Sequence, residues 1–321
     1  MPKISLALIR GGKSAEREVS LASGREVLLH LDPKRYDVRV YDPLTDLAKL
    51  VSDAPGIDVA FPVLHGLYGE DGSLQGFLTL LGIPFVGSGI LASARAMDKN
   101  VAKRIFRAAD LPVAKDVVFR RGDDEDCVER SLSVLDLPVV VKPSNQGSSF
   151  GLSVAKTRGE LESALAKARA YSGDLMVEEY LKGREFTVAV IGNNDPEALP
   201  PIEIIPGEGH GFFDYGAKYE PGECRELCPA DLPPEETELV KDLALKAHEA
   251  MGCRGLSRTD FILSDGVFRL LELNTLPGMT SGSLIPKAAK ARGLSFPALL
   301  DRLIELALEK DWKLPNNPGN F

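Results

Sequence analysis

Up to Gly87 the apolar positions change period in a regular way. Residues 4–9 form a run that is apolar except at Ser5 and stops at Arg10-Gly11-Gly12, the signature of a buried strand. Ser14 then offers an N-cap for a helix predicted over 14–31. Arg17 stands where a capping box needs Glu or Gln, but Glu16 and Glu18 still put acids at the helix start, where the backbone dipole favours them. Residues 36–41 alternate as a half-buried strand, and 59–64 read as a second buried strand ending in His65-Gly66. A helix over 74–81 leads to a strand at 83–86. This β-α-β order predicts a parallel sheet whose ligands sit beyond the C-terminal strand ends, where Gly11-Gly12 and His65-Gly66 fall.

Two further stretches differ in character. From about 88 to 182 the pattern gives a helix (98–109), a strand (117–119), a helix (125–135), a strand (139–142), a small-residue loop, a strand (151–155), a helix (158–170) and a strand (175–179): a compact α+β unit. From 183 to 321 it gives a strand (185–191), a Gly-rich loop over 206–221 of the length usually kept for function, a helix (234–251), a hairpin (256–263 and 267–274) and a last helix ending near Glu309. The predicted division is 1–87, 88–182 and 183–321.

Composition narrows the function classes. The 321 residues are 44% hydrophobic and 26% charged, as in a soluble globular protein. With 47 acids against 38 basic residues the net charge is −9, which argues against sequence-independent nucleic-acid binding. No apolar run approaches a membrane span, and the chain enters its first strand without a signal-peptide pattern, so a cytoplasmic location is expected. Cys127, Cys224, Cys228 and Cys253 form no C-x-x-C pair, and only His210 lies near two of them, so neither a disulfide framework nor structural zinc is expected.

Two motifs are decoys. Gly12-Lys13-Ser14 imitates a P-loop, but Ala7 occupies the position of its first glycine. Gly87-Ser88-Gly89-Ile90-Leu91-Ala92 matches G-x-G-x-x-A, yet it falls at a junction rather than in a first βα unit, and a tight hinge turn explains it. A nicotinamide-dependent dehydrogenase built on it is one alternative function. A non-catalytic nucleotide-binding module is another.

The sharper signal is the hairpin. Glu272 and Asn274, two apart, share a face. A two-residue turn at Asp265-Gly266 would set Asp260 opposite Leu271, on the other face. A three-residue loop ending in a left-handed Gly266 sets Asp260 opposite Leu270 and Arg258 opposite Glu272, so that Arg258, Asp260, Glu272 and Asn274 lie together. The second register is expected, because Gly266 suits the left-handed position that commonly ends such a loop, and an edge hairpin with a merely solvated face is disfavoured because carboxylates embedded among leucines need a partner. Two carboxylates and an amide oxygen are hard donors suited to Mg²⁺ or Mn²⁺ on phosphates. Lys142, ending an apolar strand before a Gly/Ser-rich loop, Lys99 at a helix start, and Lys218 in the long loop are candidates for those phosphates. Glu178, Glu179 and Glu185 flank Tyr180-Leu181 at the passage between the second and third stretches, where a base and a ribose could be held.

Taken in order, Gly11 to Ser20, Leu64-His65-Gly66 with Gly69-Glu70-Asp71-Gly72, Met97-Asp98-Lys99, Lys142-Pro143-Ser144 with Gly147-Ser148-Ser149, Tyr215 to Tyr219, Arg258-Thr259-Asp260 and Glu272-Leu273-Asn274 through Ser281 make the chain resemble the D-alanine–D-alanine ligases of the ATP-grasp superfamily. The resemblance implies a parallel-sheet domain followed by two α+β units clasping ATP. It implies phosphorylation of one D-alanine to an acyl phosphate, attack by the amine of a second, and release of ADP, phosphate and D-alanyl-D-alanine for peptidoglycan. It implies two Mg²⁺ ions on Asp260, Glu272 and Asn274, with Lys99, Lys142 and Lys218 on phosphates, Glu178 and Leu181 at the adenine, and Glu185 at the ribose. By motif position Glu16 would take the first ammonium and His65 would lie near the first carboxylate. Arg258 with the Gly278 N–H would form an oxyanion site, and Ser283 with Leu284 would hold the second carboxylate. Ser148 and Tyr219 would close over the site by hydrogen bonding with Glu16. Glu179 departs from the family pattern, in which many relatives carry lysine, and Tyr219 rather than Phe resembles the dipeptide-forming members. A homodimer is implied. Another ATP-grasp ligase joining a different carboxylate and amine is the nearest alternative.

Overall fold

The computed structural model describes residues 2–123, 126–145, 151–207 and 224–309. In chain order the elements are β1 (Ile4–Ile9), α1 (Arg17–His30), β2 (Tyr36–Tyr41), α2 (Leu47–Asp53), β3 (Val59–Pro62), α3 (Ser73–Leu80), α4 (Ile90–Met97) and α5 (Lys99–Ala108). Next come β4 (Asp116–Phe119), α6 (Cys127–Leu132), β5 (Val139–Pro143), β6 (Ser153–Ala155), α7 (Arg158–Arg169) and β7 (Leu175–Glu179). The rest are β8 (Arg184–Gly192), β9 (Glu197–Ala198), β10 (Ile202–Pro206), β11 (Cys224–Leu227), α8 (Pro234–Met251), β12 (Gly255–Ser264), β13 (Val267–Asn274), α9 (Leu284–Ala291) and α10 (Phe296–Leu308). No helix among the described residues is long and apolar enough to cross a membrane.

Three sheets organise these elements. The first is parallel, in the order β2-β1-β3. The strand expected at 83–86 is reduced to one bridge between Phe85 and Ala60. α1 begins at Arg17 rather than Ser14, because the Ser14 hydroxyl accepts the Glu16 N–H in a turn before the helix. The second sheet is antiparallel, β4-β7-β5-β6, with Leu161, Leu165 and Ala168 of α7 buried against Val139, Val141, Leu175 and Val177.

The third sheet runs β11-β10-β8-β12-β13, with β9 beside β8. Its central strand β8 is apolar on both faces and is covered on both, as such a run requires. Phe186, Val188 and Val190 pack with Ala102 and Phe106 of α5 and with Val240, Ala244 and Ala247 of α8. Ala189 and Ile191 share a second core with Leu6, Leu8 and Phe61 of the first sheet and with Leu299, Leu303 and Ile304 of α10. α5, which falls in the second stretch of the sequence, therefore shares its core with the third sheet, while its Lys103 and Arg107 reach Asp116 and Glu178 of the second.

The single last helix expected from the sequence is two. Gly293, at φ +90°, ends α9, and Ser295 caps a new helix with Pro297 in its first turn. Ser283 thus opens α9, not the terminal helix. The turn at Gly87 (φ +101°) leads into α4 and packs against the Thr275 carbonyl and Leu276, which is the hinge-turn reading of that motif rather than the dinucleotide one.

Candidate active site

The hairpin carries its acids on one face by a route the sequence did not indicate. The turn has two residues, Asp265 and Gly266, both at positive φ, and it pairs Ser264 with Val267. That register alone would turn Asp260 away from Glu272. A β-bulge between Asp260 and Phe261 takes up Leu271 as an extra residue and restores the phase, so Asp260 pairs with Glu272 and Arg258 with Asn274. The expected three-residue loop, with Asp260 opposite Leu270 and Arg258 opposite Glu272, is corrected accordingly. Leu270 goes to the core and Leu271 lines the site instead.

Asp260 is buried and well partnered. Its Oδ1 accepts from Thr187 Oγ1 at 2.6 Å and from Arg258 Nε at 2.9 Å, and its Oδ2 accepts from Arg258 Nη2 at 2.8 Å. Glu272 Oε2 lies 3.4 Å from Lys99 Nζ. Asn274 Oδ1 accepts the Leu276 N–H at 2.9 Å, which fixes the amide. Three oxygen donors on one face, balanced by Arg258 and Lys99, are a donor set suited to a hard divalent cation.

Two cavities meet at this hairpin, and Lys99 and Glu272 line both. One, of about 400 Å³, lies between the second and third sheets. Its walls are apolar at Val140, Val154, Ile262 and Leu271, and Lys142, Glu178, Leu181 and Glu185 line it as well. A largely apolar lining with a few charged groups is the composition of a small-molecule pocket. Glu178 is buried and bound twice: Oε1 by Lys142 Nζ at 2.5 Å and Oε2 by Lys103 Nζ at 2.9 Å. Burial alone would raise its pKa, but the two lysines overcome it and hold the carboxyl at about 2. Glu179, the departure from the family pattern, turns its Oε1 to the Lys115 N–H at 2.8 Å.

The other cavity, of about 510 Å³, is lined by Glu16, His65, Glu70, Arg258, Gly278, Ser283 and Leu284. Glu16 is buried over Gly66: a Cβ at Gly66 would sit 2.5 Å from Glu16 Oε2, and its φ of +69° also calls for glycine. His65 is buried, with Nε2 3.4 Å from Ser23 Oγ; burial, helped by Arg258, drops its pKa to about 4 and keeps it neutral. The Ser283 hydroxyl is not an N-cap. It accepts the Thr280 N–H at 3.1 Å and meets Thr280 Oγ1 at 2.8 Å, leaving the first N–H groups of α9 beside the cavity. Ser148, Lys218 and Tyr219 lie outside the described residues.

Two residues of consequence were given no role by the sequence reading. Glu70 accepts the Gly66 N–H at 2.7 Å, and burial together with Glu16 pushes its pKa up to about 8. Lys103 is 1% exposed and joins Asp116 to Glu178. A signal for Lys103 existed: it falls one turn after Lys99, between Ala102 and Phe106 on the apolar face of α5.

Comparisons with known proteins place the chain in a family. Residues 45–88 match the family described as D-ala D-ala ligase N-terminus, and 105–305 match the D-ala D-ala ligase C-terminus. The chain is 52% identical over 313 residues to the D-alanine--D-alanine ligase of Desulfotalea psychrophila, covering 96% of each. It is 52% identical over 307 residues to that of Syntrophobacter fumaroxidans, covering 96% of this chain and 98% of the relative. Among solved structures, the D-alanine--D-alanine ligase of Bacillus anthracis complexed with ATP superposes with a TM-score of 0.82 at 34% identity, covering 95% and 97% of the two chains. The VanG D-Ala:D-Ser ligase of Enterococcus faecalis does so with a TM-score of 0.85 at 32% identity, covering 95% and 100%. With the N-terminal and C-terminal family models matched in order, relatives 52% identical over nearly the whole chain, and the fold shared with solved ligases, the chain belongs to the D-alanine–D-alanine ligase family.

Proposed function

We propose that the two cavities divide the ATP-dependent ligation of two D-alanine molecules between them. ATP occupies the slot between the second and third sheets, with Glu178 and Leu181 at the adenine, Glu185 at the ribose, and Lys99 and Lys142 at the phosphates. The first D-alanine places its ammonium at Glu16 and its carboxylate near His65. The second is held by the hydroxyl of Ser283 and the N–H of Leu284. By motif position Lys218 adds a phosphate contact, and Ser148 and Tyr219 close the site with Glu16. The observation that carries this reading is the Lys99–Glu272 pair, which lines both cavities and so marks where a terminal phosphate would meet a carboxylate.

The chemistry follows from that meeting. A carboxylate is a poor acyl donor, so its oxygen first takes the γ-phosphoryl group and ADP departs. The amine of the second D-alanine then attacks the acyl carbon. Arg258 and the Gly278 N–H stabilise the oxyanion of the tetrahedral intermediate, and phosphate leaves as the C–N bond stays. Neutral His65 adds no second positive charge beside Arg258. Asp260, Glu272 and Asn274 would hold Mg²⁺ or Mn²⁺, which supplies charge neutralisation at the phosphoryl oxygens when bound. Excluding water matters because an acyl phosphate is readily hydrolysed.

The same proposal includes domains at 1–87, 88–182 and 183–321, a cytoplasmic location, a product destined for peptidoglycan, and a homodimer formed through the first domain.

The test follows ADP, phosphate and dipeptide from ATP, Mg²⁺ and D-alanine. Glu272→Gln should lower turnover at least a hundredfold while moving the thermal midpoint by less than about 3 °C. Unchanged turnover would remove Glu272 from the site. ADP release with another amino acid but not with D-alanine would favour a different carboxylate–amine ligase.

A further inference from the structure

Below the proposed ATP slot, four charged side chains form a chain of contacts through the protein interior. Lys142 Nζ on β5 lies 2.5 Å from Glu178 Oε1 on β7. Glu178 Oε2 lies 2.9 Å from Lys103 Nζ on α5. Lys103 Nζ also lies 2.8 Å from Asp116 Oδ1 on β4, and Arg107 pairs with the same Asp116. Lys142 and Glu178 face the slot. The Lys103 side chain is only 2% exposed, so it does not touch a nucleotide there.

Lys142 cannot serve a phosphate and remain wholly committed to Glu178. If it were the sole partner of that carboxylate, turning toward a phosphate would strand a buried negative charge, which is a large penalty. Lys103 removes that obstacle. It grips the other oxygen of the same carboxylate and is itself held by Asp116, so it keeps its place while Lys142 moves. Its helix starts at Lys99, one turn earlier, whose ammonium meets Glu272 on the opposite wall. α5 thereby presents one lysine to each wall of the slot.

We propose that Lys103 is a positioning residue for nucleotide binding: it neutralises Glu178 and so frees Lys142 for the phosphates of ATP. This rests on the placement of ATP in the slot described above. Lys103 acts through Glu178 and Lys142 and makes no contact with either D-alanine.

The experiment is steady-state kinetics on the full-length enzyme, with ATP and D-alanine varied in turn and the folded state checked by thermal unfolding. Lys103→Met should raise KM for ATP at least tenfold, leave KM for D-alanine within twofold, and change kcat by less than threefold. Adding Glu178→Gln to that variant removes the stranded charge and should bring KM for ATP back at least threefold. Lys103→Arg, which keeps the charge, should rescue ATP binding relative to Lys103→Met. If Lys103→Met does not fold, Lys103→Gln is polar but uncharged and should show the same split between the substrates. The proposal is overturned by a folded neutral variant with normal KM for ATP, by equal losses for both substrates, or by a raised KM that Glu178→Gln does not lower. Lys142→Met separates the layers. Normal ATP handling there overturns the placement of ATP itself, whereas impaired Lys142→Met beside normal Lys103→Met overturns only the role of Lys103.

Discussion

Glu70 offers the most quantitative test of the cavity it shares with Glu16 and His65. In the folded chain its carboxyl keeps its proton up to about pH 8, because burial and the neighbouring Glu16 and Glu272 disfavour the charged form. In the unfolded chain it ionises near 4.5. The folded state therefore binds the extra proton, and stability falls as pH rises from 4.5 to 8, then levels off. The full shift corresponds to about 3 kcal/mol at pH 7 and approaches about 5 kcal/mol well above pH 8. Glu70 is not sealed from solvent, and screening reduces these figures to about 2 kcal/mol at pH 7. Glu70→Gln keeps an oxygen for the Gly66 N–H and never ionises. It should raise the thermal midpoint by about 3 °C at pH 7, somewhat more at pH 8.5, and hardly at all at pH 4.5. Thermal unfolding of both proteins across that range, without substrates, is the measurement. A shift that is the same at every pH, or a Gln variant that is less stable at pH 8.5, would refute the account of Glu70 as a neutral acid beside Glu16.

Two other expectations follow from the same kind of reasoning. Gly66→Ala brings a methyl to within 2.5 Å of Glu16 Oε2 at a φ of +69°, so it should raise KM for D-alanine at least tenfold while leaving KM for ATP near normal; equal effects on both substrates would contradict it. His248 on α8 is held neutral by burial, with Nδ1 2.8 Å from Ser257 Oγ and its pKa lowered to about 4. Its contribution is complete above pH 6.5 and is lost as pH falls to 4, up to about 3 kcal/mol, so His248→Gln should flatten the urea-midpoint profile over that interval.

Much of the fold was legible because long periodic segments declare themselves. Strands Ile4–Ile9, Tyr36–Tyr41 and Leu175–Glu179 and helix Pro234–Met251 lie where their patterns put them. What escaped was short or masked by a stronger motif. The good helix formers of Ile90–Met97 were hidden behind the glycines of Gly87 and Gly89, which drew attention to a dinucleotide turn. Strands β9, β10 and β11 are held by pairing to β8 and to one another, a tertiary effect with no local signature. Lys103 stands out only as a lysine on the apolar face of its helix, and its partners Asp116 and Glu178 are revealed only when the fold brings them around its ammonium. Glu70 reads as a loop acid until Gly66 and Glu16 close on it.

The hairpin shows why face can be inferred where register cannot. Burial demands that Asp260, Glu272 and Asn274 share a side, because each carboxylate placed among Leu270, Leu273 and Phe261 would be an unpaired charge in the core. Turn chemistry decides independently how many residues the loop takes, and Asp265-Gly266 favours two, both at positive φ. The two demands conflict by one residue, and the chain settles the conflict with a bulge at Leu271 rather than with a longer turn. The bulge also has a use. It releases Leu271 from the core and sends it, with Ile262, to the apolar wall of the slot beside Glu272. A single inserted residue thus keeps the acids in phase and supplies an apolar surface to the slot, which ties the acidic face and the slot's wall to one local distortion of one strand.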